Sequence, residues 1–228
     1  MKFLEEILRK YWSHYEIDEF PNNDSRMMVL EDKEVFGMST ENIRFLINEL
    51  VRFIGKGVYL EVGMLYGCSL LSAALFNPGV RCIGIDNFSQ WGGNEEILQK
   101  NLLKFGNPKN IEYYIMDYRE GISYIFSKEP QLKVDIYYYD GDHSYANQIE
   151  GLDVIHPHLK SKCIILVDDI DWKFVSDANR VWLKKHPDFS SFKISSMKNL
   201  DEKLTEKDIP HRERPWWNGF EVITRGFE

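Results

Sequence analysis

At 228 residues, 43% apolar and 14% aromatic, the chain can build one domain with a full core and is not of disordered composition. Its 28 Lys and Arg against 36 Asp and Glu give a net charge of −8, which argues against broad binding to nucleic acid. No apolar run approaches the roughly 20 residues that cross a bilayer, and Cys68, Cys82 and Cys163 lack metal-type spacing, as expected of buried thiols in a cytoplasmic protein.

Phe3, Leu4, Ile7, Leu8, Tyr11, Trp12 and Tyr15 recur at helical spacing, which predicts an amphipathic helix over residues 2–16. Glu5 and Glu6 stand where an export signal would be basic and then apolar. The stripe is expected to pack on the protein's own core, with self-association into a homo-oligomer as the second use. Residues 17–38 read as an irregular, lid-like segment turned at Pro21, Asn22 and Asn23, which sets 1–38 apart from a main domain over 39–228. Ser39 or Thr40 caps a second helix, whose stripe is Ile43, Leu46, Ile47, Leu50, Val51 and Ile54.

Val58–Val62 is an apolar, β-rich run broken only by Glu61, the signature of a buried parallel strand. It runs into Gly63, Gly67 and Ser69, and a helix follows to Phe76. Strand, glycine turn and helix let a backbone approach a ligand at a helix N-terminus. Leu65 occupies the place of the middle glycine of a dinucleotide fingerprint, so this turn suits a nucleoside without phosphates. Glu61 stands out because a buried acid is costly unless something satisfies it.

Strand Val80–Ile85 ends in Asp86, at the distance from the glycine turn where an acid holds a ribose diol. The loop 87–93 carries Trp91, which could fold over a ligand, and Asn94 caps a helix to Phe105. Strand Ile111–Met116 ends in Asp117, placed to accept from an adenine amino group, and a short helix over 119–127 follows. Strand Val134–Tyr139 opens into Asp140-Gly-Asp142-His143-Ser-Tyr145, the densest ionisable cluster in the chain, and a helix runs on to Pro157. Strand Cys163–Val167 ends in Asp168 and Asp169. A helix over 173–185, a strand 192–195, a connection carrying Arg212, Arg214, Trp216 and Trp217, and a last strand 219–224 complete the chain.

This alternation predicts an α/β fold: a Rossmann-like, seven-stranded, mostly parallel sheet with a late antiparallel strand and helices on both faces. Ligands then bind outside the carboxyl ends of the strands. Asp86, Asp117, Asp140, Asp168 and Asp169 all tip strands and so share one rim, where they repel unless cations or donors compensate. Asp140, Asp168 and Asp169 could supply oxygens to a hard divalent ion. Asp142 or His143 is then placed to take a proton from a hydroxyl. Beside a metal the weaker base Asp142 suffices, and without one the imidazole is better matched.

Together, Glu61-x-Gly63-x-x-x-Gly67, Asp86, Asp117, Asp140-Gly-Asp-His-Ser-Tyr145 and Asp168-Asp169 resemble a class I S-adenosylmethionine-dependent methyltransferase. The likeness is to small-molecule O-methyltransferases of one Rossmann-like domain, including metal-dependent ones acting on natural-product sugars and on catechols. It spans roughly 40–225. The resemblance implies S-adenosylmethionine as cofactor, with Glu61, Gly63 and Gly67 at its methionine end, Asp86 at the ribose and Asp117 at the adenine, and Ser69 and Asp140 also binding it. It implies Mg²⁺ on Asp140, Asp168 and Asp169, with Asp142 as the base; His143 belongs to a branch where base and metal differ. The acceptor it implies is a small molecule, with neither nucleic acid nor membrane as partner. An NAD-dependent dehydrogenase or epimerase is opposed by the absent middle glycine and the lack of a Tyr-x-x-x-Lys pair. A nucleoside-binding domain without catalysis is the other alternative.

Overall fold

The computed structural model describes residues 2–11, 35, 37–194 and 216–227. In chain order these form α1 (Lys2–Tyr11), α2 (Glu41–Ile54), β1 (Gly57–Val62), α3 (Cys68–Ala74), β2 (Val80–Asp86), α4 (Glu95–Lys104), β3 (Ile111–Ile115) and α5 (Tyr118–Lys128). There follow β4 (Val134–Tyr139), α6 (Tyr145–Ile155), a 3₁₀ turn His156–His158, β5 (Leu159–Asp168), α7 (Lys173–Lys185), β6 (Phe189–Ile194) and β7 (Phe220–Arg225). Of the expected first helix, 12–16 lie outside the described residues, as do most of the lid-like segment 17–38 and the connection before Trp216.

One seven-stranded sheet runs in the order β3-β2-β1-β4-β5-β7-β6. β1 pairs in parallel with both β2 and β4, and β4 with β5, while β7 is antiparallel to β5 and to β6. The chain winds outward from β1 to β3 and then returns to place β4 on the other side of β1. That reversal opens the crevice at the carboxyl ends of β1 and β4 in which doubly wound sheets bind ligands.

Side chains alternate across the strands, so both faces are buried. Tyr59, Ile136, Tyr138 and Ile164 pack with α1, α2, α3 and α4 through Leu4, Leu8, Phe45, Leu46, Leu70 and Leu98. Leu60, Val62, Tyr137, Tyr139 and Ile165 pack against α5, α6 and α7 through Ile122, Ile125, Leu152, Val175 and Trp182. Leu4 and Leu8 are fully buried, so the apolar stripe of α1 is used within the chain, each leucine contributing roughly 1.5–3 kcal/mol. Phe3 adds a stack on Phe53 and another on Phe227.

Local chemistry sets the helix starts. Thr40 Oγ1 accepts from the Ile43 amide, Asn94 Oδ1 from those of Glu96 and Ile97, and Ser144 Oγ from that of Asn147. Asn48 of α2 donates to the carbonyls of Ser72 and Leu75 at 2.7 Å each, which fixes α2 to α3. β5 begins at Leu159, earlier than its apolar run at 163, because Ser161 and Lys162 are exposed and disguise its start. β6 likewise begins at Phe189 rather than 192. Among the described residues no helix is long and apolar enough to cross a membrane.

Candidate active site

A cavity of about 470 Å³ opens at the carboxyl ends of β1, β2 and β4, and Gly63, Asp86, Asp117, Asp140, His143 and Asp169 all line it. Gly63 makes the crevice possible. It sits at φ 91°, and a Cβ there would lie 1.8 Å from the Asp140 carbonyl oxygen, so only glycine lets the ends of β1 and β4 come together. Leu65, also left-handed at φ 46°, donates its amide to Asp86 Oδ2 at 2.8 Å. Asp86 Oδ1 accepts from the Phe88 amide at 2.8 Å. The Asp86 carboxylate therefore shapes the turn after β1 and at the same time faces the cavity.

Glu61, Gly67 and Ser69 do not line the cavity; they build the turn from behind. Glu61 is fully buried and accepts from the Tyr59 hydroxyl at 2.5 Å and from Ser69 Oγ at 3.0 Å. Gly67, at φ 79°, leaves no room for a Cβ beside the Leu98 side chain. At the tip of β3, Asp117 caps α5 by accepting from the Arg119 amide at 2.9 Å. The Arg119 guanidinium lies 3.3 Å from Asp117 Oδ2 and reaches across to Glu150 at 2.8 and 2.6 Å and to Asn147 at 2.6 Å. Arg119 is the only lysine or arginine among the described lining residues, and its donors are committed.

The two acidic segments meet on the other side of the cavity. The buried Tyr138 hydroxyl donates to Asp168 Oδ2 at 2.9 Å and lies 3.3 Å from Asp140 Oδ2. Asp168 Oδ1 accepts from the Asp169 amide at 3.0 Å. His143 Nε2 stands 2.9 Å from Asp169 Oδ2 and 3.6 Å from Asp140 Oδ1, and the edge of Trp172 packs against its ring. Burial and then the charges of Asp168, Asp169 and Glu61 hold Asp140 well above the usual carboxylate range. Burial followed by the Asp169 charge raises Asp168 to about 7. At His143 burial pulls the pKa down, but the hydrogen bond and charge of Asp169, with Asp168 and Asp142 behind it, prevail, and the net shift is upward. Asp142 is different in kind: it accepts from the Ser144 amide at 2.8 Å, and its bonds to Ser144 hold it below its ordinary value.

Residues 60–170, the span holding all of these groups except Tyr59 and Trp172, match the model of a methyltransferase domain family. That span is 111 of the 228 residues. The chain's fold is shared with O-methyltransferases of known structure. An O-methyltransferase from Bacillus cereus, solved with S-adenosylhomocysteine, superposes with a TM-score of 0.61 at 15% identity, over 89% of this chain and 91% of that one. The O-methyltransferase TomG from Streptomyces achromogenes, involved in tomaymycin synthesis, gives 0.62 at 12% identity over 90% and 91%. A TDP-rhamnose 3′-O-methyltransferase of calicheamicin biosynthesis gives 0.55 at 17% identity over 100% and 94%. In sequence, an uncharacterized protein of Acanthamoeba polyphaga mimivirus is 34% identical over 116 residues; this match spans about half of each chain, 49% of this one and 50% of the relative.

Around this cavity the carboxylates expected from the strand tips do converge, but their partnerships differ from a simple rim. The ligand atoms that fall within 4.8 Å of one another belong to Asp140, His143 and Asp169. Asp168 is not among them. Tyr138, Asn147 and Asn218 are site residues that sequence reasoning missed. Tyr138 reads as one more apolar strand residue, and the alternation of β4, which turns every second side chain toward α2 and α3, was the available signal.

The Glu61 carboxyl is raised from 4.5 to about 7, chiefly by burial. In the unfolded chain it loses its proton at lower pH than in the fold, so its contribution to stability falls as pH rises from 4.5 to about 7. Urea unfolding across that range should show Glu61→Gln less steeply pH-dependent than the parent by up to roughly 3 kcal/mol. Parallel pH profiles would show that Glu61 is not held as a buried acid.

Proposed function

We propose that this protein transfers the methyl group of S-adenosylmethionine to a hydroxyl of a small molecule. The observation that carries the reading is the single cavity with Asp86 and the glycine turn on one side and the His143–Asp169 pair on the other. The donor side fits the cofactor. Asp86 offers its carboxylate to a ribose diol, Asp117 stands where an adenine would lie, and acids of the lining suit a ligand bearing a sulfonium and an ammonium. A dinucleotide fits poorly, because its two phosphates would face carboxylates with Arg119 already committed and the Leu65 amide already bonded to Asp86. When bound, the cofactor supplies an electrophilic methyl group.

The acceptor hydroxyl must lose its proton. His143 is suited to take it at Nδ1, which is buried without a hydrogen-bond partner among the described residues: its Nε2–H donates to the Asp169 carboxylate, whose charge stabilises the imidazolium and raises its basicity. Asp142 is a poorer base because its carboxylate is engaged at the entry to α6. We extend the proposal to a divalent cation held by Asp140 and Asp169. Burial, and then the charges of Asp168, Asp169 and Glu61, disfavour the ionised Asp140; a cation would offset this, and two carboxylates are apt ligands for Mg²⁺. Bound there, the ion would acidify the hydroxyl.

Calorimetry should show S-adenosylhomocysteine binding far more tightly than NAD, and Asp86→Ala weakening it by about 10- to 100-fold. Preference for NAD would overturn the reading. Mn²⁺ added with S-adenosylhomocysteine should give a bound electron-paramagnetic-resonance signal, weakened about tenfold or more in Asp140→Asn. No bound Mn²⁺ at millimolar metal removes the cation from the proposal. With an acceptor in hand, His143→Gln should lower turnover by about 10²-fold or more, the range of a general base, and Asp142→Asn by less. The reverse order assigns the proton to Asp142.

A further inference from the structure

We infer that Asn218 is a positioning residue that turns Asp169 toward His143 and thereby couples the segment before β7 to the reacting end of the site. This rests on the reading of His143 as the base. Asn218 is buried, and its Nδ2 donates to Asp169 Oδ1 at 2.7 Å. The other oxygen of the same carboxylate, Oδ2, is the one at 2.9 Å from His143 Nε2. An amide donor on one oxygen fixes the rotation of a carboxylate and leaves its second oxygen directed at the imidazole. The order Asn218–Asp169–His143 is thus a relay of orientation, like the outer groups that aim a ligand or a base.

Backbone geometry makes Asn218 the residue for this task. Asp169 sits at φ 55°, left-handed and strained for a side-chain-bearing residue, so its direction needs holding from outside its own turn. The turn 168–172 after β5 and the turn 216–219 before β7 are zipped together. The Asp171 amide donates to the Asn218 carbonyl at 2.8 Å, and the Gly219 amide to that of Trp216 at 2.7 Å. A Cβ on Gly219 would meet Ile170 and Asp171 at 2.9 and 3.0 Å, so the two turns can pack this closely only at a glycine. The antiparallel register that sets Asp168 opposite Phe220 then places Asn218 beside Asp169. Trp217, next in the chain, lines the same cavity. The segment that meets the acceptor and the carboxylate that aims the base are therefore fixed by one side chain.

The test needs no acceptor. In histidine-¹⁵N-labelled protein with S-adenosylhomocysteine bound, the His143 ring signal is assigned by its loss in His143→Gln. Asn218→Ala should shift and broaden that signal while leaving the other histidines and the S-adenosylhomocysteine affinity within about threefold of the parent. Asn218→Asp keeps the shape but sets a carboxylate against Asp169, and should perturb the same signal if the alanine variant does not fold. An unchanged His143 signal in whichever variant folds overturns the inference. Failure of the methyltransferase reading would show separately, as a parent protein that does not bind S-adenosylhomocysteine. Once an acceptor is found, Asn218→Ala should lower kcat on the order of 10- to 100-fold with the KM for the cofactor unchanged; a loss confined to the acceptor KM would instead make Asn218 a plain contact of the pocket wall.

Discussion

Repulsion among Asp140, Asp168 and Asp169 is the constraint around which this site is built. Placing three carboxylates at the ends of two adjacent strands, in partly desolvated surroundings, is unfavourable unless each finds a donor or a cation. The fold supplies the donors one by one. Tyr138 rises from within the sheet to Asp168 and Asp140, the Asp169 amide closes onto Asp168, and Asn218 and His143 take the two oxygens of Asp169. Even so burial, and after it their neighbours' charges, keep Asp140 and Asp168 raised, so the protein's own donors do not fully stabilise the ionised acids. A positively charged ligand would gain from what remains, which is the physical ground for proposing a sulfonium cofactor over a dinucleotide.

Much of this arrangement was legible in the sequence because it depends on strand ends. A parallel strand reads as an apolar run, its last residue is easy to locate, and Asp86, Asp117, Asp140, Asp168 and Asp169 all stand at such ends. The winding of the chain then brings them to one edge without any further information. The missing middle glycine was equally legible: Leu65 adopts a left-handed backbone without being a glycine, and its amide is taken by Asp86. Glu61 illustrates the opposite. Its burial was visible, but its partners are Tyr59, two residues back on the same face of β1, and Ser69, so the carboxylate is satisfied inside the protein and not at the cavity.

What stayed hidden was contact between segments distant in sequence whose own residues look ordinary. Asn218 lies between two tryptophans and a glycine, in a stretch that reads as a connection, and only the β5–β7 register puts it on Asp169. Arg119 reads as a surface charge on α5, yet its fork spans Asp117, Glu150 and Asn147 and so ties the tip of β3 to α6. The starts of β5 and β6 were obscured for a simpler reason: a strand that begins in exposed serines and lysines has no apolar run to announce it.

The site divides its labour between rigid and irregular backbone. The donor side is carried by the ends of β1, β2 and β4, locked by Gly63 against Asp140, and can be positioned to within the tolerance of the sheet itself. The side proposed to accept the proton is carried by turns: His143 before α6, Trp172 before α7, and Asn218 before β7. Turns are less precise than strands unless their side chains are cross-braced. Here the bracing is a continuous path from Asn218 through Asp169 to His143, with the edge of Trp172 against the imidazole. Methyl transfer demands that donor, acceptor and base share one geometry. The bracing of these three turns is therefore the physical condition under which the proposed sheet-borne cofactor site and the proposed loop-borne base would act on one acceptor.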